Sequence, residues 1–93
     1  MATDFETIEK ESIQSLKFPN NEVLQDNFAI NQRKTDLHRA QSLGNLERSK
    51  TRIYFEDNQS KKMVETTVWA VTDKSVILKK GVGIPINRIF MSL

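Results

Sequence analysis

Ninety-three residues with no cysteine, one histidine and three glycines hold at most one modest core and leave no material for disulfides, thiolate zinc sites or a cysteine nucleophile. The formal charge of +2 divides unevenly: residues 1–29 carry two lysines against six carboxylates, a net of −4, whereas residues 30–93 carry twelve cations against six carboxylates, a net of +6. The longest apolar run, residues 68–71, is far short of the roughly 20 residues a membrane helix needs, and the acidic first residues do not read as a secretory leader, so a cytoplasmic protein is expected.

Thr3-Asp4-Phe5-Glu6 reads as a capping box, a hydroxyl followed three positions later by a carboxylate. Phe5, Ile8, Ile13 and Leu16 then recur at spacings of three, five and three, which predicts a short amphipathic helix over 4–17 ended by Pro19-Asn20-Asn21. Residues 18–29 read as a linker with Val23, Leu24 and Phe28 as anchors. Residues 1–29 are thus expected to form an acidic arm, ordered only if it packs, because a helix this short is marginal in water. A second helix is expected over 30–43 from Ile30, Leu37, Ala40 and Leu43, with Gly44-Asn45 as its stop.

From Lys50 the pattern switches to period two. Strands are expected at 50–56, 62–72, 75–79, 83–86 and 89–93, with turns at Asp57-Asn58-Gln59-Ser60, Asp73-Lys74 and Lys80-Gly81. The stretch VETTVWAVTDK, residues 64–74, is rich in Val and Thr and free of Gly and Pro, the composition of a long strand. Alternation turns Ile53 and Phe55 to one face and Lys50, Arg52 and Tyr54 to the other. Pro85 cannot donate to a ladder, so the fourth strand is expected to be short or at an edge. Five short strands in meander order predict an α+β chain in which one or more N-terminal helices precede a small antiparallel barrel of the SH3-like or Sm-like kind, residues 30–93 forming the helix-plus-barrel unit.

Residues 37–93 carry Arg39-Ala40, Leu43-Gly44-Asn45, the 64–74 run, and Ile84-Pro85-Ile86 followed by Arg88-Ile89. In these features the chain resembles a family of short uncharacterised bacterial proteins. The resemblance covers about three-fifths of the chain and implies the same helix-plus-barrel arrangement. It implies no activity and no catalytic residue, and residues 1–29 fall outside it.

Catalytic constellations are missing from the sequence. His38 has no cysteine or second histidine to join at a metal, no G-x-S-x-G elbow surrounds any serine, and Gly81-Val82-Gly83 lacks the third glycine of a dinucleotide loop. No enzyme, cofactor, metal or membrane contact is expected. Two readings of the surface stand side by side. Cations and an aromatic ring on a strand surface suit RNA or single-stranded nucleic acid, with Lys50, Arg52, Tyr54, Lys62, Lys79 and Arg88 as contacts. Lysines at strand ends also serve simply to guard edges against pairing. Alternatively Phe5, Ile8, Ile13 and Leu16 form an apolar recognition stripe, or a barrel edge is offered, in a protein-interaction or regulatory module. The acidic arm folding over the basic body as a self-screen would join the two readings.

Overall fold

The computed structural model describes residues 5–93, and the Thr3 hydroxyl cap lies outside them. The elements run in the order β1 (Glu6–Thr7), a 3-10 helix (Lys10–Ser15), α1 (Asn27–Glu47), β2 (Thr51–Glu56), β3 (Lys61–Thr66), β4 (Val68–Val71), β5 (Ser75–Leu78), β6 (Gly83–Pro85) and β7 (Ile89–Ser92), with short 3-10 turns at Lys79–Gly81 and Ile86–Arg88. Two sheets result. The first has the order β1-β3-β2-β7, antiparallel apart from the parallel β1–β3 pair; the second is the antiparallel set β4-β5-β6. The class is α+β.

The closed SH3-like or Sm-like barrel does not form: both sheets are open, and elements that are not strands lie where closure would have been made. Helix α1 packs on β4 and β7, an outer strand from each sheet. Gln41 Oε1 accepts the Val71 N–H of β4 at 2.9 Å, and Arg33 Nη1 donates to the Ile89 carbonyl of β7 at 3.0 Å. Edge groups that a barrel would pair strand to strand are therefore satisfied by helix side chains. Elsewhere the Lys10–Ser15 turn touches β3 of one sheet and β6 of the other.

The expected strand over 62–72 is two strands in different sheets. Thr66 pairs with Thr51, Val68 pairs with Leu78, and between them the Thr67 carbonyl accepts the Lys79 N–H at 3.0 Å. At this corner the chain lies directly against α1. A Cβ at Gly44 would overlap the Val68 carbonyl oxygen and crowd the Thr67 methyl, so glycine lets helix and corner touch. Gly44 is thus a packing residue inside the helix and not its stop. The helix starts at Asp26, whose side chain accepts the Phe28 N–H at 3.3 Å, and ends at Arg48 in the left-handed conformation (φ 57°, ψ 31°).

The α-helix expected over 4–17 is replaced by β1 and the 3-10 helix. The five-residue step from Ile8 to Ile13 puts those side chains about 140° apart on an α-helix, too far for one face. An extended and then tightened backbone instead lays Ile8, Ile13 and Leu16 along the sheets, and the Ile8 N–H donates to Met63 O at 2.9 Å. Ile13 is 2% exposed and joins Leu37, Ile53, Phe55, Val68, Leu78 and Ile89 in the core. Burying a side chain of this size contributes roughly 1.5–3 kcal/mol, which makes Ile13 the main anchor of the arm. Residues 16–26 continue across the sheets, with Asn58 N–H bonded to Lys17 O and Val23 N–H to Asn87 O, both at 2.9 Å.

Candidate functional site

The outer face of the first sheet carries two of the expected residues. Ile53 and Phe55 are fully buried on the inner side of β2, so Arg52 and Tyr54 point outward, as strand alternation requires. Tyr54 stands opposite Met63 on β3 and Met91 on β7. Phe5 meets the Tyr54 ring edge-on at 5.1 Å and the Phe90 ring at 5.7 Å, and the Lys61 ammonium lies 5.5 Å from the Phe90 centroid. Arg52 faces Glu65 directly across the β2–β3 pair, with Nε 4.0 Å from the carboxylate. The surface around Tyr54 is therefore aromatic at its centre and mixed in sign around it. It is not a continuous positive groove.

Lys62 and Arg88 are buried and bonded internally. Lys62 Nζ donates to both Asp57 oxygens, at 3.1 and 3.2 Å, and to Ser60 Oγ at 2.7 Å. Burial pushes the Asp57 carboxyl up, but the N–H bonds from Ser60 and Gln59 and the Lys62 ammonium outweigh it, leaving the group below its ordinary value. Arg88, 4% exposed, donates to Asn21 O at 2.9 Å, Asn21 Oδ1 at 3.1 Å and Glu56 O at 3.1 Å. It fastens the crossing arm to the β2–β3 turn. Arg33, named by neither surface reading, does similar work with a two-pronged bond to Glu22 at 2.6 and 2.7 Å. That bond holds Glu22 below the usual carboxylate range despite the opposing effect of burial, with the Leu24 N–H assisting.

The four apolar arm residues are not brought onto one exposed stripe. Ile13 is in the core, Ile8 and Leu16 pack against it, and Phe5 sits among the rings of the first sheet.

Lys50 and Lys79 meet elsewhere, in a cleft of about 570 Å³ between the end of α1 and the β3–β4 corner. Gly44, Asn45, Arg48, Thr67 and Trp69 complete its lining. Trp69 is 48% exposed. The Thr67 hydroxyl donates to the Arg48 carbonyl at 3.4 Å, tying one wall to the other. Arg48 holds a backbone conformation that costs an L-residue roughly 1–2 kcal/mol and is usually left to glycine. The sequence concealed Arg48 because Gly44-Asn45 imitated a helix stop; with the helix running on to Glu47, Arg48 becomes its cap.

No family model, curated protein or solved structure matches the chain. The resemblance to a family of short bacterial proteins is corrected accordingly, since the helix-plus-barrel arrangement it implied is replaced by two open sheets. Among the described residues, no group of three or more His, Asp or Glu side chains gathers as metal ligands do, and no helix is long and apolar enough to cross a membrane.

Proposed function

We propose that this chain is a non-enzymatic protein-interaction module that docks through the outer face of its first sheet. The observation that carries this reading is the make-up of the Tyr54 surface: Tyr54, Met63, Phe90 and Met91 on neighbouring strands with the Phe5 ring packed on them, and Arg52, Lys61 and Glu65 among them. Aromatic residues, Met and Arg are the types enriched where proteins meet, and an apolar centre with a charged rim is the usual layout of such a contact. A polyanion fits this face poorly, because Arg52 is opposite Glu65 and a run of phosphates would meet that carboxylate. The fitting partner is a folded protein with an apolar patch, a carboxylate to meet Lys61 and a cation to meet Glu65. Strand addition is a weaker route, since α1 covers β4 and β7, and β6 contains Pro85.

The test is affinity capture with chemical cross-linking, comparing the native chain with Met91→Glu and with Leu46→Glu, a control at an exposed site on α1 (81% exposed). Met91→Glu is expected to reduce partner recovery at least about tenfold, the loss that a central contact gives, while Leu46→Glu leaves it unchanged. Equal recovery with native protein and Met91→Glu, both folded by circular dichroism, would overturn the reading.

A further inference from the structure

The cleft at the end of α1 differs from the sheet face in its lining, which gathers three cations and no carboxylate. Among the described residues, Arg48, Lys50 and Lys79 have no carboxylate within ion-pair distance, a condition they share with Lys61 and other exposed lysines, but only these three are brought together. All three line the same cleft, and no Asp or Glu lines it with them. At the helix end Arg48 N–H donates to Gly44 O at 3.0 Å and Ser49 N–H to Leu43 O at 3.5 Å, so the chain itself caps these two carbonyls. The same cleft exposes the indole of Trp69, and its volume lies within the roughly 300–1,000 Å³ of small-ligand sites.

We propose that this cleft binds a nucleotide unit, with the base against the Trp69 indole and the phosphate among Arg48, Lys50 and Lys79. This goes beyond the docking reading and rests on different residues. An exposed ring beside unpaired cations matches the two parts of a nucleotide, a flat π-face and a compact anion. Thr67 and Asn45 add polar groups at the wall for the sugar or the base edge. A neighbouring depression shares Lys50, Thr67 and Lys79 with the cleft and brings in Glu9, Glu65 and Lys10, the last already paired with Glu11 at 3.1 Å. Those carboxylates oppose a polyanion running on in that direction, so the site suits a free nucleotide or the end of a strand better than a strand passing through.

The chain has a single tryptophan, so its fluorescence reports on this cleft alone. The experiment titrates the full chain with AMP, with adenosine, with a phosphoserine peptide lacking aromatic residues, and with a single-stranded oligonucleotide, in about 50 mM salt, where phosphate contacts are strong. AMP is expected to quench saturably and adenosine to bind at least about tenfold more weakly, because it lacks the group the cations hold. Rising salt should weaken AMP binding. Lys79→Glu and Arg48→Glu should each weaken it about tenfold or more, while Lys34→Glu, the same charge change elsewhere on α1, should not. Oligonucleotide binding more than about tenfold tighter than AMP would assign the site to strand ends; equal affinities would assign it to free nucleotides. No saturable quenching by AMP or the oligonucleotide up to about 5 mM would overturn the proposal. So would tighter binding of the phosphopeptide than of AMP, or an effect of Lys34→Glu equal to that of Lys79→Glu. Thermal melts of each variant separate loss of binding from loss of fold.

Discussion

The seam where the arm crosses the sheets and the cleft where α1 ends use the same residue types in opposite ways. In the seam, Arg33, Lys62 and Arg88 are buried, and each is bonded to a carboxylate and to further oxygens of the chain. In the cleft, Arg48, Lys50 and Lys79 are exposed, and none has a carboxylate within ion-pair distance among the described residues. A buried cation is tolerated only when its charge is answered internally, and removing it leaves its partners stranded. An exposed one keeps its hydration and is available to whatever arrives. The position of a cation therefore fixes what it does, and substitutions in the two regions should separate stability from binding.

The largest effect is expected at Arg88. Arg88→Met strands the Asn21 and Glu56 carbonyls and loosens the arm, and urea unfolding should register a loss of about 3 kcal/mol. Gly44→Ala, at the contact between helix and corner, should cost about 2 kcal/mol, since forcing a methyl against a backbone oxygen outweighs the roughly 1 kcal/mol that alanine gains in a helix. Asp57→Asn keeps an acceptor for the turn N–H groups but leaves Lys62 buried without a counter-charge, a loss of about 2 kcal/mol near neutral pH.

Asp57→Asn also sharpens the comparison through pH. Asp57 and Glu22 both sit below their ordinary values in the folded chain, so they hold more protons when unfolded. Their contribution is complete above the ordinary carboxylate range and disappears as pH falls through the lowered folded values. Acid unfolding of the native chain should thus steepen below about pH 4, and Asp57→Asn should flatten that fall. The smallest effect belongs to the cleft: Lys50→Gln should change stability by less than about 0.5 kcal/mol, because its side chain is exposed and answers no buried group. A large loss there, or none at Arg88, would break the distinction between the regions.

Much of the sheet region was legible because strand periodicity is local. Thr51–Glu56, Ser75–Leu78 and Ile89–Ser92 fall within a residue or two of expectation, and the inward set Ile53 and Phe55 follows from alternation alone. Closure was not legible. A meander of hairpins reads the same whether its outer strands meet or are held apart, and here Gln41 and Arg33 on α1 occupy the edge positions. The corner at Thr67 was hidden for a similar reason, since the contact it makes is with Gly44, more than twenty residues away. The arm misled because its apolar spacing is near enough to helical to suggest a helix, while Ile13 is required in a core built from the other end of the chain. Of the six cations and rings chosen from strand faces, the sequence separated neither Lys62 nor Arg88 from the exposed ones. Their partners Asp57 and Asn21 sit at a turn and in a linker, where side-chain direction has no period to betray it.

The seam has a consequence for how the protein is made. Asn20 and Asn21 bond to Asn87 and Arg88, a separation of 67 residues. At a synthesis rate of roughly 5–20 residues per second, the arm leaves the ribosome about 3–13 s before its docking site exists. During that interval Ile13, Leu16 and Phe18 have no sheet to enter, and a chaperone that holds short apolar segments would meet them first.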